Sequence, residues 1–302
     1  MTIAALFGDY TFRTVALGAT LIGLMSGAVG CFSVLRREAL LADGASHAAL
    51  PGVVAAFLLT GSRSTAALLF GAAVSAILAA ALTSLVARRT RIKFASALAV
   101  MMSVFFGLGM TMMSYTQRLP GASKAGLSRF IYGEASSMLS RDVWAAAILS
   151  AVILAILLIF YKEFKLVSFD RAYAVSLGFP ADAIGSILTA LAVAVIILGL
   201  QAVGAVLMSA LLIAPAVAAR QWTHRLGSMV LLAALFGAVS GGLGTAVSSV
   251  GSSMPTGPVI VVIASAIAGV SLLAAPKRGI AAKLINRQRL RKIERGGEEN
   301  VG

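Results

Sequence analysis

The sequence predicts an all-α bundle that crosses a membrane about nine times. Three observations predict it. Of the 302 residues, 59% are hydrophobic and only 12% charged, where a soluble domain carries about 25% charged residues. The mean hydropathy is +0.96. The apolar residues also gather into successive runs close to the roughly 20 residues that a spanning helix needs. Such runs fill nearly all of the chain, so its length does not indicate two soluble domains.

The first run, Thr14–Leu35, is long enough to span. Met1–Arg13 before it lacks a basic n-region and a small-residue cleavage site, so no cleavable signal peptide is expected. The second run, Ala45–Leu59, is short and is broken by Pro51. Short, Pro/Gly-interrupted hydrophobic segments point to a transporter's binding site. Asp43 stands where an N-cap would, and Gly44 gives the backbone freedom there. Thr65–Ala87 and Ala95–Tyr115 follow, then Val143–Tyr161, Ala183–Leu200, Val203–Ala219, Ser228–Val247 and Pro258–Ala275. Gly23, Gly27 and Gly30 in the first run, and Gly237, Gly241, Gly242 and Gly244 in the eighth, permit close helix contacts. Met101, Met102, Met110, Met112 and Met113 could offer thioethers to a soft metal, but their irregular spacing suits core or lipid-facing filling.

The net charge of +14 is not a nucleic-acid signal, because Lys and Arg collect in short loops and the tail, as in cytoplasmic loops. Arg36–Arg37, Arg88–Lys93, Lys162–Arg171, Arg220–Arg225 and the tail from Lys277 fall on one side if every run crosses once. That side is expected to be cytoplasmic and to hold the C-terminus, with the N-terminus outside. The loop Thr116–Asp142 falls outside despite Arg118, Lys124, Arg129 and Arg141; either it holds a short re-entrant helix or the rule is overridden there. The organisation is thus a membrane domain over 1–276 and a basic tail over 277–302. The tail suits an amphipathic helix on an anionic leaflet and a positive-inside tail equally well. Cys31 is the single cysteine, so no intrachain disulfide forms.

The chemistry is sparse. No Gly-x-x-x-x-Gly-Lys-Ser/Thr loop, His-Glu-x-x-His, Gly-x-Ser-x-Gly or Cys-x-x-Cys pattern occurs. What stands out is Asp43, a carboxylate with membrane-type sequence on both sides, and His47, one of 2 histidines. At i and i+4 they share one helix face. A carboxylate with an imidazole suits a transition-metal cation. Acids within a membrane are costly and commonly mark an ion path. Spacing alone equally allows Asp43 to cap a helix near the interface and His47 to satisfy a backbone group. Two ligands are too few for a divalent cation, which takes about four to six; a symmetric dimer would double them. His224 is an alternative ligand, but its basic loop suits an exposed polar residue.

Leu35–Gly52 resembles the signature of the permease subunits of metal-type ABC importers, the manganese, zinc and iron(II) uptake family. That pattern has Leu-Arg-Arg, then Ala-Leu, then Asp-Ala-Leu-Ser-His-Ala-x-Leu-Pro-Gly. Asp43, Ser46, His47, Leu50, Pro51 and Gly52 match it, and Gly44 stands where the family often has Ala. Phe169–Ala174 with Leu177–Gly178 is similar to the family's Phe-Asp…Ala…Leu-Gly loop. Val203–Ala216 matches its Gly-x-x-Leu-x-x-Ala-Leu-Leu-x-x-Pro run, and Pro255–Pro258 its Pro-Thr-Gly turn.

The resemblance implies a type II ABC importer-like permease in a bacterial cell membrane. It implies a pore of two permease chains, identical or different, driven by cytoplasmic ATP-binding subunits and supplied by an extracytoplasmic metal-binding protein. The chain itself is then not an enzyme and holds no permanent cofactor. Asp43 and His47 would coordinate the transported cation, Mn²⁺ or Zn²⁺, with Fe²⁺ the family's third cargo. Ile213–Gly227 would be the segment that couples to the ATPase, with Pro215 ending the seventh span and Arg220, Gln221, Trp222 and Arg225 exposed. Thr116–Asp142 and Ser248–Gly257 would face the binding protein. A neutral imidazole is needed for the metal, so uptake should weaken as pH falls. Rival readings are a permease of the vitamin B12 or siderophore class, an intramembrane enzyme using Asp43 and His47 as acid and base, and a channel.

Overall fold

A computed structural model describes residues 9–61, 64–116, 118, 138–251 and 254–276. Most of the loop 116–142, part of 248–257 and the whole tail from Lys277 lie outside the described residues. Within them the chain forms helices and turns and no strand.

In chain order the helices are α1 Tyr10–Leu35, α2 Leu41–Thr60, α3 Thr65–Arg89, α4 Phe94–Thr116, α5 Ser140–Ile159, the short α6 Tyr161–Phe169 and α7 Arg171–Ser176, then α8 Ala181–Val203, α9 Ala205–Trp222, α10 Leu226–Val250 and α11 Thr256–Ala274. Among the described residues 8 helices are long and apolar enough to cross a membrane. The seventh expected run falls on α9, whose apolar part, Leu207–Trp222, is shorter. At 1.5 Å per residue the 18 residues of α9 still span about 27 Å, close to the hydrocarbon thickness of about 30 Å. Gly204, the one residue between α8 and α9, has φ +89°. That positive-φ backbone lets α9 turn back beside α8 without a longer loop.

Two sequence expectations need correction. The second helix is neither short nor broken. It begins at Leu41, four residues before Ala45, and runs 20 residues straight through Pro51. Pro51 lacks the N–H that would donate to the His47 carbonyl, yet packing on both flanks holds the helix. A Cβ on Gly109 of α4 would lie 2.9 Å from the Pro51 ring, and Gly52 faces the Gly71 carbonyl of α3. Nor does Pro215 end the seventh span, because α9 continues past it to Trp222. A single lost hydrogen bond does not stop a membrane helix whose neighbours crowd it.

The centre of the bundle is α1, buried along most of its length. Its glycines bring it against α10 at backbone distance. A Cβ on Gly23 would lie 2.1 Å from the Gly237 carbonyl oxygen, and one on Gly27 2.0 Å from that of Ala233. Conversely, Gly241 faces the Ala19 carbonyl. This is the small-residue packing that lets membrane helices gain van der Waals contact where no hydrophobic drive exists between them. Cys31 is wholly buried and its S–H donates to the Met229 carbonyl at 3.5 Å. Of the methionine group, Met113 is buried in the core and Met110 faces outward, as filling residues do.

The Ser75 hydroxyl on α3 donates to the Ala48 carbonyl of α2 at 2.7 Å in a buried setting. Ser75→Ala should cost about 0.6 kcal/mol, the mean for such interhelical bonds. Titration of the purified chain from mild detergent into dodecyl sulfate, followed by circular dichroism, measures it.

Candidate functional site

The turn from α1 to α2 sets the entry to the site. α1 ends in a Schellman motif: the Glu38 N–H donates to the Ser33 carbonyl at 2.9 Å and that of Arg37 to Val34 at 3.2 Å. Arg37 takes the left-handed position, φ +60°, where glycine is usual. The chain re-enters the bundle as α2 at once, so Asp43 falls in the first helical turn rather than at the N-cap, which is Leu40. A carboxylate there is favoured by the helix dipole. At 1.5 Å per residue, Asp43 and His47 lie about 3 and 9 Å along α2 from its start.

The structure brings the two predicted ligands together. His47 Nε2 stands 3.5 Å from Asp43 Oδ1, with the side chains 23% and 38% exposed. Neither is packed into a solid helix contact. Phe106 of α4 closes one side, its ring edge-to-face with the imidazole at 4.9 Å and 79°. Sequence reasoning missed Phe106, because it sits on another helix and no local spacing marks it. Gly44 lies under Leu98, whose Cδ1 would be 2.6 Å from an added Cβ. That atom is the free end of a flexible side chain, so an alanine at this position could be accommodated by a shift of Leu98. Among the described residues no group of three or more His, Cys, Asp or Glu side chains converges. One chain therefore offers an acid and an imidazole, half of a divalent-cation shell.

The coupling set is reshaped. Ile213–Gly227 is mostly helix, and only Thr223, His224 and Arg225 link α9 to α10. Trp222 is partly exposed and its indole N–H donates to Ser271 of α11 at 3.0 Å, which ties two helix ends together. Arg220 is exposed, Gln221 half-buried, and Arg225 exposed as the residue before α10. Pro215 is buried within α9.

The same end carries a feature whose motif the sequence shows and whose exposure it hides. The Asp170 carboxylate caps α7 by accepting from the Tyr173 N–H at 2.9 Å. Gly178, φ +84°, ends it, with the Phe179 N–H donating to Ala174. Phe169, Tyr173, Val175 and Leu177 are each more than half exposed. Behind them, Glu38 pairs with Arg36 at 2.8 Å. Burial pushes the Glu38 carboxyl above its ordinary value of 4.5, against the pull of Arg36. Its contribution to stability is therefore full below 4.5 and is lost as pH rises through the raised value.

The sequence pattern of the ABC 3 transport family matches residues 9–275. The zinc transport system membrane protein TroC of Treponema pallidum is 46% identical over 292 residues, 97% of this chain and 98% of its own. The manganese transport system membrane protein MntC of Bacillus subtilis is 41% identical over 278 residues, 92% of this chain and 64% of its own length. Among solved structures, a chain of PsaBC from Streptococcus pneumoniae in complex with Fab superposes with a TM-score of 0.80 at 29% identity, covering 92% of this chain and 98% of that one. The spanning helices and these likenesses agree: this chain is a multi-pass membrane permease of the ABC 3 transport family.

Proposed function

We propose that the chain forms, with a second permease chain, the pore of an ATP-driven importer for Mn²⁺ or Zn²⁺, and that Asp43 and His47 hold the ion in transit. The observation that carries this is the partly exposed pair at 3.5 Å on one face of α2. Carboxylate oxygen and imidazole nitrogen suit both ions, and neither ligand is a thiolate that would select a softer one. A second chain across a symmetry axis supplies the matching acid and imidazole and completes a four-ligand set. The similarity to zinc and manganese permeases supports the same cargo.

ATP is hydrolysed by separate subunits docked at the arginine-rich end, which faces the cytoplasm of a bacterial cell with the C-terminus. A metal-binding protein delivers the ion at the other end. The docking surface comprises the α9–α10 turn with Arg220, Gln221, Trp222 and Arg225, together with the apolar face of α7. Exposed apolar side chains beside charges are the usual makings of a protein contact. Leu177→Asp is expected to weaken retention of the ATPase subunit about tenfold, measured by co-purification; unchanged retention removes α7 from the contact.

The decisive experiment reconstitutes the chain with its ATPase in vesicles and measures which ion accumulates. ATP-dependent accumulation of Mn²⁺ or Zn²⁺ is the expected result. Ion flow without ATP would mean a channel, and uptake of a metal chelate but no free ion would mean the vitamin B12 or siderophore class.

A further inference from the structure

The chain carries an amphipathic cleft that the metal reading does not use. Arg36 and Arg37 after α1, Arg88 near the end of α3, Arg171 opening α7 and Arg220 in the last turn of α9 line one cavity of about 520 Å³. Two carboxylates answer them. Glu38 takes one nitrogen of Arg36, whose other terminal nitrogen donates to the Gly185 carbonyl at 2.9 Å. Asp182 bridges Arg171 and Arg88, the latter at 3.3 Å. Among the described residues, neither Arg37 nor Arg220 has an acidic partner. The cavity thus keeps an excess of positive charge.

Arg88 also lines a second space, a groove of about 280 Å³ between α3 and α8. Its walls are mostly apolar, with Ile77, Ala81 and Leu85 on α3 and Ala190 and Val193 on α8, and the hydroxyl residues Ser84, Ser186 and Thr189 among them. From Ile77 to Arg88 it follows α3 for about 16 Å at 1.5 Å per residue. Ile77 and Leu85 are about half exposed, so the groove opens outward from the bundle.

We propose that the groove and the adjoining part of the arginine cavity together hold one anionic phospholipid, its acyl chain along Ile77–Leu85 and its phosphate beside Arg88 and Arg37, while Arg220 stays with the ATPase-facing turn. A basic pocket between membrane helices at the cytoplasmic side is the arrangement that takes lipid headgroups. Free phosphate or an acidic side chain of another protein would use the arginines but has no use for an apolar groove leading into them. Arginine forks match phosphate oxygens in pairs, which favours a phosphate over a diffuse surface charge. The proposal needs the arginine-rich end to lie at the headgroup layer and is independent of which ion the pore carries.

Native mass spectrometry of the full chain, released from mild detergent with added phosphatidylglycerol or phosphatidylcholine of equal acyl length, tests it. Phosphatidylglycerol should be retained over phosphatidylcholine by at least about fivefold, the factor for one headgroup–arginine contact. Arg88→Gln should lower that retention by about the same factor. Ala81→Trp should abolish it by filling the groove while leaving every arginine in place; Ala190→Leu, from the opposite wall, serves the same purpose if the tryptophan variant does not fold. Excess inorganic phosphate should not displace the lipid. Equal retention of both lipids, retention unchanged in the groove variants, or displacement by phosphate each overturns the proposal. So does an Arg88→Gln chain that keeps its lipid and loses its ATPase subunit, which would mark the arginines as a protein contact.

Discussion

Asp43→Ala and His47→Ala are each expected to lower ATP-driven metal uptake by at least about a hundredfold, while the permease dimer and its ATPase still co-purify. Removing even an outer-shell partner of a metal ligand costs roughly 10–100-fold in affinity. On the proposed assignment each substitution removes a direct ligand, and in a symmetric pore it removes it twice. Among the described residues no third His, Cys, Asp or Glu converges on the pair to take the lost place. The folding cost should be small, since both side chains are partly exposed and Ala favours helix. Uptake of radioactive Mn²⁺ or Zn²⁺ into vesicles measures the effect. Full uptake by both variants would remove these residues from the ion path.

The second large effect is on stability. Gly237→Ala is expected to cost upward of about 3 kcal/mol, the high end for overpacking. The new methyl would sit 2.0 Å from the Gly23 carbonyl oxygen, and a backbone atom cannot rotate away as a side chain can. α1 and α10 would have to separate along the seam that Gly23, Gly27 and Gly241 also form. Gly269→Ala is the control: nothing lies within 4 Å of its added Cβ, so it should be neutral or stabilising by up to about 1 kcal/mol. Denaturant titration of both variants in detergent distinguishes a seam from ordinary loose contact.

Much of this was legible in the sequence. The apolar runs became helices, and the glycine spacings in α1 and α10 became a packed seam, because burial of a membrane helix depends on composition and small-residue placement that any reader can count. The acid and imidazole at i and i+4 met as the helical period requires. Pro51 and Pro215 misled, because their effect is decided by what crowds them: Gly109 and Gly71 reach α2 from other helices. Phe106 reached His47 from another helix for the same reason. The five arginines of the cavity each read singly as a cytoplasmic loop charge, and only the fold shows that they converge.

The buried sulfur on α1 has a practical consequence. Cys31 is the single cysteine of the chain and is sealed between α1 and α10 with its proton engaged. The native protein therefore offers a silent background to water-soluble maleimides, and no residue need be removed before reporter thiols are installed. One placed at Leu59, 87% exposed at the far end of α2, and another at Arg91, exposed in the turn between α3 and α4, lie at opposite ends of the bundle, so their labelling from the two sides of a sealed vesicle becomes a two-tube gel assay of sidedness.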